Sequence, residues 1–232
     1  MMLGTTSLGA GEWDNEIPPE LARSPLLAAG GYRVITGLID DATLDGLLEE
    51  ALAVRPQATR GVVEESDGTE GRGGNPARAF RSGPGRQLHW RLHGCAEMAE
   101  ALTRICGVPV AATGGGTYSY YETAGDFLAL HRDVVRCDVA VITCLSLRLA
   151  DDSAGGLYVY PDRLHEPLSK IRAAGRAAGR TAPLGRGQTI VLFGGILPHE
   201  VTPMAAGQER IVSVMCYKAQ IGDQLAPSSL NT

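Results

Sequence analysis

The feature that most limits what this chain can fold into is a strand-like segment, residues 121–133, that ends in His131, Arg132 and Asp133. Side chains two positions apart on a strand point to the same face of the sheet. The imidazole of His131 and the carboxylate of Asp133 are therefore predicted to share one face. Arg132 is predicted to face the other side, as a surface or second-layer residue. One strand thus offers two metal ligands.

A second histidine and an arginine follow downstream. The apolar run 188–199 is predicted to be a strand that ends in His199, and eleven residues later Arg210 opens a third strand-like run. Two histidines and one carboxylate that leave coordination positions open are the ligand set of non-haem Fe(II) oxygenases. A buried carboxylate beside buried histidines would otherwise need partners of its own. The sequence therefore predicts His131, Asp133 and His199 as metal ligands.

Composition and charge argue against several classes of function. The 232 residues are 44% hydrophobic and 20% charged, which is typical of one soluble globular domain with a core of ample size. A net charge of −5 and a pI near 5.6 argue against a nucleic-acid partner, because such proteins usually show basic clusters. No apolar run of about 18 residues predicts a membrane span, and the first residues lack the pattern of a signal peptide. We therefore expect a cytoplasmic protein that binds neither nucleic acid nor a membrane.

The cysteines predict neither a disulfide framework nor a zinc site, because their number, five, is odd and no two have Cys-x-x-Cys spacing. Most are expected to be reduced, as small apolar core residues. Cys137 follows Asp133 by four positions on what is predicted to be a strand, and that spacing spans about 13 Å. It is therefore not expected to join the metal ligands.

The N-terminal part of the chain is predicted to support the site from outside. Residues 1–25, with three prolines among small and acidic residues, are expected to be a loosely held lead-in. A short strand is predicted at 32–36. A helix follows, with Asp41 as its cap, an apolar stripe at helical spacing, and Pro56 as its stop.

A polar, glycine-rich stretch then separates this helix from the next. Residues 57–86 are predicted to be one long loop, either a mobile surface excursion or a lid over a site. A second helix is predicted over 96–106 and ends at Gly107. His89 and Trp90 precede it and are candidates either for lining a substrate mouth or for packing against the core.

From residue 117 onward the chain is mostly strand-like. The runs 138–147 and 157–160 are rich in β-branched and apolar residues, and a turn separates them. Several short strands with turns between them predict a β-sandwich or barrel rather than a parallel sheet.

An insertion at 164–186 interrupts these strands. It places Arg172, Arg176 and Arg180 four positions apart, so that on a helix the three guanidinium groups would share one face. Such a face is either simply solvated or a docking surface for an acidic substrate or a carrier domain.

The order of motifs over residues 117–217 resembles a known family. It runs Tyr, Gly, Phe, His-x-Asp, then Gly-Gly-Leu, Gly-x-x-x-x-Leu-Phe, His-x-Val-x-Pro and Gly-x-x-Arg. His-x-Asp alone arises often by chance, but the full series resembles the Fe(II)/2-oxoglutarate-dependent oxygenases, in their prolyl-hydroxylase-like branch. The resemblance implies a mainly β fold with flanking helices (α+β), built on a double-stranded β-helix, the jelly-roll of cupins. It implies one domain over 26–232, with helical support at 26–110 and the jelly-roll core at 111–220.

The resemblance also implies a chemistry. Fe(II) would be held by His131, Asp133 and His199, with no catalytic residue beyond the metal centre. The cosubstrate would be 2-oxoglutarate, with its distal carboxylate bound by Arg210 and by the hydroxyl of Tyr121, and ascorbate would serve as a reductant. A bidentate guanidinium suits this role, because an anion buried in an apolar barrel needs a hydrogen-bonding cation. The implied reaction converts 2-oxoglutarate to succinate and carbon dioxide and hydroxylates an unactivated C–H bond. The presence of Asp133 argues against halogenation.

Substrate identity stays open at this point. The compact chain favours a small molecule, such as an amino acid or a natural-product intermediate. Hydroxylation of a residue in a protein or peptide is the alternative, and desaturation, epoxidation or ring closure would use the same site. A non-catalytic jelly-roll protein, or a cupin-type dioxygenase without cosubstrate, would not require Arg210. The family branch often carries an aromatic residue where this chain has Cys216, which leaves more room near the metal.

Overall fold

The computed structural model describes residues 17–148 and 155–221, in which twelve β-strands form one curled sheet flanked by six α-helices. The helices are α1 (Pro19–Ala22), α2 (Pro25–Ala28), α3 (Asp41–Val54), α4 (Gln87–Gly94), α5 (Ala96–Cys106) and α6 (Leu168–Ala174). The strands are β1 (Tyr32–Thr36), β2 (Thr59–Val63), β3 (Arg78–Pro84), β4 (Val110–Ala112), β5 (Thr117–Tyr121), β6 (Phe127–His131), β7 (Val139–Arg148), β8 (Leu157–Val159), β9 (Arg180–Thr181), β10 (Gln188–Leu192), β11 (His199–Val201) and β12 (Glu209–Ala219).

The sheet has the order β1-β10-β7-β12-β5-β3-β6-β11-β8-β9, with antiparallel pairing throughout. The first five strands form one wall and the last four form the facing wall. Strand β3 joins the two walls along one side, β2 pairs with β3, and β4 pairs with β12. This is the mainly β jelly-roll with flanking helices that the resemblance predicts. No helix in the described ranges is long and apolar enough to cross a membrane.

The prediction of one long loop over 57–86 is wrong at both ends. Strands β2 and β3 form an antiparallel hairpin there, and the segment between them, 64–77, has neither helix nor strand. The hairpin residues are rich in arginine and glycine and show no clear alternation of apolar and polar side chains. Their strand conformation depends on the hydrogen bonds that β5 and β6 offer to β3, so only the assembled sheet stabilises it.

The outer face of the first wall is covered by helices. Helix α3 buries Leu44, Leu47 and Ala51 in a core cluster that also contains strand residues of β7 and β12. Its N-cap is Asp40, whose side chain accepts a hydrogen bond from the Thr43 amide at 2.9 Å, rather than the predicted Asp41. The predicted second helix is confirmed as α5, which ends at a left-handed Gly107 with φ of 73°.

Helix α4 was not predicted and contains two of the residues expected to precede a helix. His89 on this helix is fully buried, whereas Trp90 is 53% exposed. The hydroxyl of Ser213 lies 3.0 Å from Nε2 of His89. His89 thus lies between α4 and the outer face of β12 rather than at a substrate mouth.

Part of the predicted lead-in is packed on the core. Residues 1–16 lie outside the described ranges, but from residue 17 the chain forms α1 and α2. Leu21 is 3% exposed and Ser24 is 1% exposed. The Ser24 side chain caps α2 by accepting from the amides of Leu26 and Leu27, and its hydroxyl donates to the Cys106 carbonyl at the end of α5. This part of the segment is therefore fixed to the helical layer.

His199 does not end the strand that begins at residue 188. Strand β10 stops at Leu192, and His199 opens the separate strand β11 in the facing wall. The turn between them contains Gly194 and Gly195, where a β-carbon would meet other side chains at 1.8 Å and 2.4 Å. The change of wall at this turn brings His199 opposite His131.

The three arginines of the insertion do not share a helical face. Helix α6 ends at Ala174, so that only Arg172 lies on it. Arg176 lies in a 3-10 turn and pairs with Glu200 at 3.3 Å, while Arg180 lies in β9 and pairs with Asp162 at 2.7 Å. The predicted basic face is therefore absent from the described residues, because two of its three charges are paired.

Two cysteines form a disulfide, contrary to the prediction. Cys137 is bonded to Cys216, and their Cα atoms are 4.9 Å apart. After His131 the chain leaves the strand and turns toward β12, which brings Cys137 beside Cys216. The other three cysteines are free. The two partners are 79 residues apart in sequence, so no local spacing could indicate the bond.

Candidate metal centre and cosubstrate pocket

The three predicted metal ligands meet at one end of the jelly-roll interior. His131 closes β6 and is paired in register with His199, which opens β11. Asp133 lies two residues beyond the end of β6. Its Oδ1 atom is 3.6 Å from Nε2 of His131 and 3.8 Å from Nε2 of His199. One ligand atom from each residue lies within 4.8 Å of the others. The three groups therefore face a common point.

Both imidazoles are oriented by the backbone. Nδ1 of His131 is 2.9 Å from the Ala129 carbonyl, and Nδ1 of His199 is 2.9 Å from the Leu197 carbonyl. Because a carbonyl only accepts hydrogen bonds, Nδ1 carries the hydrogen and donates it in this contact, and Nε2 carries the free lone pair, as in most metal-binding histidines. Burial, reinforced by His131, lowers the pKa of His199 to about 4. His199 is therefore neutral at pH 7, the form that binds metals.

Asp133 is held as an ionised carboxylate with unused hydrogen-bonding capacity. Burial acts to raise its pKa, but His199 and His131, with a weaker contribution from Arg72, bring the pKa below its ordinary value. Its amide donates to the Gly194 carbonyl at 2.8 Å. Its Oδ2 atom is buried, and no atom of the described residues hydrogen-bonds to it. An ionised, buried oxygen without a donor is costly unless a cation binds it, so the donor set fits a divalent metal ion.

Arg132, predicted to be a surface or second-layer residue, is fully buried. Its side chain does point away from the metal ligands, as strand alternation requires, but other segments cover it. Its guanidinium donates to the backbone carbonyls of Ile196 at 2.9 Å, Glu70 at 3.2 Å and Glu166 at 2.8 Å. Arg132 thus connects the ligand strand to the 64–77 segment, to the turn before His199 and to the segment before α6.

Arg72, in the 64–77 segment, holds the chain that carries Asp133. Its guanidinium makes five hydrogen bonds to residues 133–138. The acceptors are the carbonyls of Asp133 (3.3 Å), Val134 (2.8 Å), Val135 (3.2 Å) and Cys137 (2.9 Å) and the carboxylate of Asp138 (2.7 Å). The guanidinium lies against Gly195, where a β-carbon would come within 2.4 Å of it. The 64–77 segment is therefore fixed beside the metal site.

The same cavity is also lined by a buried arginine. Arg210 is 3% exposed, and its Nη1 donates to the Gly155 carbonyl at 3.2 Å. Its buried Nε has no partner, and no carboxylate of residues 17–148 or 155–221 pairs with it. Burial lowers its pKa, but an arginine stays protonated in proteins. A buried cation without a counter-ion marks a site for an anion.

Tyr121 lies beside this arginine, as the resemblance implies. The two residues are directly opposite on β5 and β12. The ring of Tyr121 stacks on Phe80 with a centroid distance of 4.9 Å. Burial raises the pKa of the Tyr121 phenol, so the hydroxyl is a hydrogen-bond donor at neutral pH. Both Tyr121 and Arg210 line the cavity that also contains the three metal-ligand candidates.

No protein-family model and no curated protein matches the chain. Among solved structures, the chain is similar to the non-heme alpha-ketoglutarate-dependent epimerase SnoN from nogalamycin biosynthesis, with a TM-score of 0.64 and 16% identity over 83% of this chain and 79% of that one. HygX from Streptomyces hygroscopicus, solved with nickel and 2-oxoglutarate, gives a TM-score of 0.61 and 13% identity over 89% of both chains. A Pseudomonas putida prolyl-4-hydroxylase gives a TM-score of 0.57 and 15% identity over 84% of this chain and 95% of that one.

The chain therefore has the fold of the Fe(II)/2-oxoglutarate oxygenases, among whose structures prolyl hydroxylases are included. The predicted jelly-roll is confirmed by these structures as well as by the strand order. At such low identities the likeness establishes the fold, and the chemistry must be argued from the residues of this chain.

The three metal-ligand candidates, Arg210 and Tyr121 were all predicted from the sequence and line one cavity, while their roles stay predictions. Arg72 and the close packing at Gly194 were not predicted. A β-carbon at Gly194 would lie 1.8 Å from Oδ2 of Asp133. The Gly194-Gly195 pair is visible in the sequence before His199 and could have indicated a close approach of other groups. Which groups approach it depends on the folded 64–77 segment, which no local pattern reveals.

Proposed function

We propose that the protein is an Fe(II)- and 2-oxoglutarate-dependent oxygenase that hydroxylates a small molecule. One observation carries the proposal. A single cavity is lined by two histidines and an ionised aspartate that could bind one metal ion, and by a buried arginine that no carboxylate of the described residues pairs with. A bound metal alone would account for the histidines and the aspartate, and a bound anion alone would account for the arginine. A cosubstrate that chelates iron with one end and carries a carboxylate at the other explains both.

The metal would be held by Nε2 of His131, Nε2 of His199 and a carboxylate oxygen of Asp133. Three protein ligands leave positions open for the cosubstrate and for dioxygen. When bound, iron and 2-oxoglutarate would activate dioxygen, which is the oxidant: one oxygen atom would enter the C–H bond of the substrate and the other would enter succinate, with release of carbon dioxide.

The other polar groups of the cavity bind 2-oxoglutarate and orient it toward the metal. Arg210 receives the distal carboxylate of 2-oxoglutarate with two donors, and the Tyr121 hydroxyl donates a third hydrogen bond. These contacts replace the water that the carboxylate loses on entering the barrel. Apolar side chains on both walls exclude further water from the cavity: Leu128, Ile142, Leu157, Val201, Val212 and Val214.

The size of the cavity favours a small substrate or a small reacting group. Its volume is about 210 Å³, below the range of about 300–1,000 Å³ for pockets that enclose drug-sized ligands. With 2-oxoglutarate occupying the arginine end, only a compact part of a substrate can approach the metal.

The test is an anaerobic titration that needs no substrate. The intact protein with Fe(II) and 2-oxoglutarate is expected to show a weak visible charge-transfer band. His199→Ala should abolish the band, and Arg210→Ala should require at least about 100-fold more 2-oxoglutarate, because a charge-assisted bidentate contact is lost. Arg60→Ala, which removes an arginine paired with Asp126 elsewhere, should leave the band unchanged. Absence of a band in the intact protein, or normal 2-oxoglutarate affinity in Arg210→Ala, would refute the assignment.

A further inference from the structure

The wall that β3 and β5 form in the cavity is polar but carries no charge. Phe80 and Ser82 point inward from β3, and Thr117, Ser119 and Tyr121 point inward from β5. Ser82 and Ser119 are directly opposite in the antiparallel register. Directly opposite side chains have β-carbons about 4.5–5.5 Å apart. The two serine hydroxyls therefore form an adjacent pair, with the stacked aromatic rings on one side.

The hydroxyls of this wall have no hydrogen-bond partner among the residues that the structure describes. Ser82, Ser119 and Thr117 make no side-chain hydrogen bond to any described residue. Ser119 is only 6% exposed. A hydroxyl in an apolar environment costs about 1–3 kcal/mol when it lacks a hydrogen-bond partner. These groups therefore require partners from a molecule in the cavity, either a ligand or water.

Ionised side chains near this wall face away and are already paired. Arg81 lies between Phe80 and Ser82 and points outward, where it donates to the carbonyls of Arg55 at 2.9 Å and Ala58 at 3.0 Å. Apart from the three metal-ligand candidates and Arg210, the described residues that line the cavity are all neutral. Once the cosubstrate occupies Arg210 and the metal occupies its ligands, no described residue that lines the cavity remains to neutralise an ammonium or a second carboxylate.

We infer that the part of the substrate that enters the cavity is uncharged and bears a hydroxyl, ether or carbonyl oxygen, which the Ser82–Ser119 pair binds, with Thr117 as a third contact. An ion at this position would lose its hydration without gaining a counter-ion. This inference rests on the proposed function and narrows its substrate class. A free amino acid, one of the substrates that the sequence left open, does not fit, because both of its charged groups lie within a few bonds of any carbon that it could present.

The test compares three probes that share one ring: cyclopentanol, cyclopentylammonium and cyclopentanecarboxylate. Each is titrated against the full chain loaded with Zn(II) and 2-oxoglutarate, and binding is followed by ligand-observed NMR. Cyclopentanol is expected to bind, and the two ions to bind at least about ten-fold more weakly. Ser82→Ala and Ser119→Ala should each weaken cyclopentanol binding about five-fold, the effect of one hydrogen bond. Ser169→Ala, which changes an exposed serine at α6, should have no effect.

Three results would overturn the inference. Either ion could bind as tightly as the alcohol. The two serine variants could bind cyclopentanol with unchanged affinity. The variants could instead lose affinity for 2-oxoglutarate, which would assign the hydroxyls to the cosubstrate. Failure of the proposed function gives a different pattern, in which the protein binds neither metal nor 2-oxoglutarate while the serine pair still selects the alcohol. Because both serines are replaced by a smaller side chain of similar shape, thermal unfolding of the variants verifies that they remain folded.

Discussion

Replacing Arg72 by alanine is expected to weaken Fe(II) binding about 10- to 100-fold, although Arg72 does not touch the metal site directly. Five hydrogen bonds from its guanidinium fix residues 133–138, and the first residue of that segment is a metal-ligand candidate. Without them, the Asp133 backbone keeps only its amide contact to Gly194. The carboxylate would then have to be ordered each time a metal binds.

The magnitude follows from the geometry of these contacts. Hydrogen bonds from a charged donor contribute about 1.5–3 kcal/mol each when buried. The Arg72 side chain is 24% exposed, so water can take its place at the exposed carbonyls of Val134 and Val135. We therefore expect the free energy of unfolding to fall by only about 1–3 kcal/mol. Groups that orient metal ligands contribute about 10- to 100-fold to metal affinity, equivalent to about 1.4–2.8 kcal/mol. The two effects are of similar size and must be measured separately.

The assay is an anaerobic Fe(II) titration against a competing chelator, together with thermal unfolding of the metal-free protein. Arg60→Ala is the matched control, because Arg60 lies on the same hairpin and makes an ion pair of the same length, 2.7 Å, with the buried Asp126. The Arg60→Ala variant should lose stability without losing affinity for Fe(II). Arg72→Lys should recover little, because one ammonium cannot reach five acceptors arranged around a planar fork. If Arg72→Ala binds Fe(II) within two-fold of the wild type while its stability falls as in Arg60→Ala, the positioning role is refuted.

Three further predictions test other parts of the site. Gly194→Ala should abolish Fe(II) binding, because the new β-carbon would overlap the ligand carboxylate at 1.8 Å, whereas Gly94→Ala, with no atom within 4 Å, should bind normally in the same titration. Thiol counting under denaturing conditions should give three free thiols before reduction and five after it. Replacing Cys137 and Cys216 by serine should lower stability by about 2–4 kcal/mol in urea unfolding, since the bond closes a long loop; five thiols without reduction would contradict the bond. Burial, then the nearby histidine, lowers the pKa of His89 from 6.5 to about 4. The unfolded chain therefore takes up a proton before the folded one, so stability should fall by about 3 kcal/mol as pH drops from 6.5 to 4, and His89→Gln should show a smaller decline.

The sequence predicted the parts of the site whose chemistry is local. His131 and Asp133 are two positions apart, and their side chains converge even though the strand ends at His131. His199 and Arg210 were found because His199 was expected to end one strand-like run and Arg210 to open the next, in the order of the family motifs. In the structure these four side chains line one cavity, while the binding of a metal and of 2-oxoglutarate stays a prediction.

Features that depend on distant pairing could not be predicted. Strand β3 has a poor strand pattern and is stabilised by its neighbours β5 and β6. The Cys137–Cys216 bond joins segments 79 residues apart. The burial of Arg132 arises because three separate segments place carbonyls around it, and a single-strand argument about alternation gives the direction of a side chain but not what covers it.

The position of strand β3 in the chain has a consequence for how the cavity can change among related proteins. The metal-ligand candidates and the arginine lie on or beside strands β6, β11 and β12, whereas Ser82 and Phe80 belong to a hairpin that precedes this core in the chain. A substitution at Ser82 can therefore alter what the cavity accepts while the metal-ligand candidates and the arginine are inherited unchanged. In a lineage of related proteins, new substrate preferences would be expected to arise first at the inward-facing positions of β3.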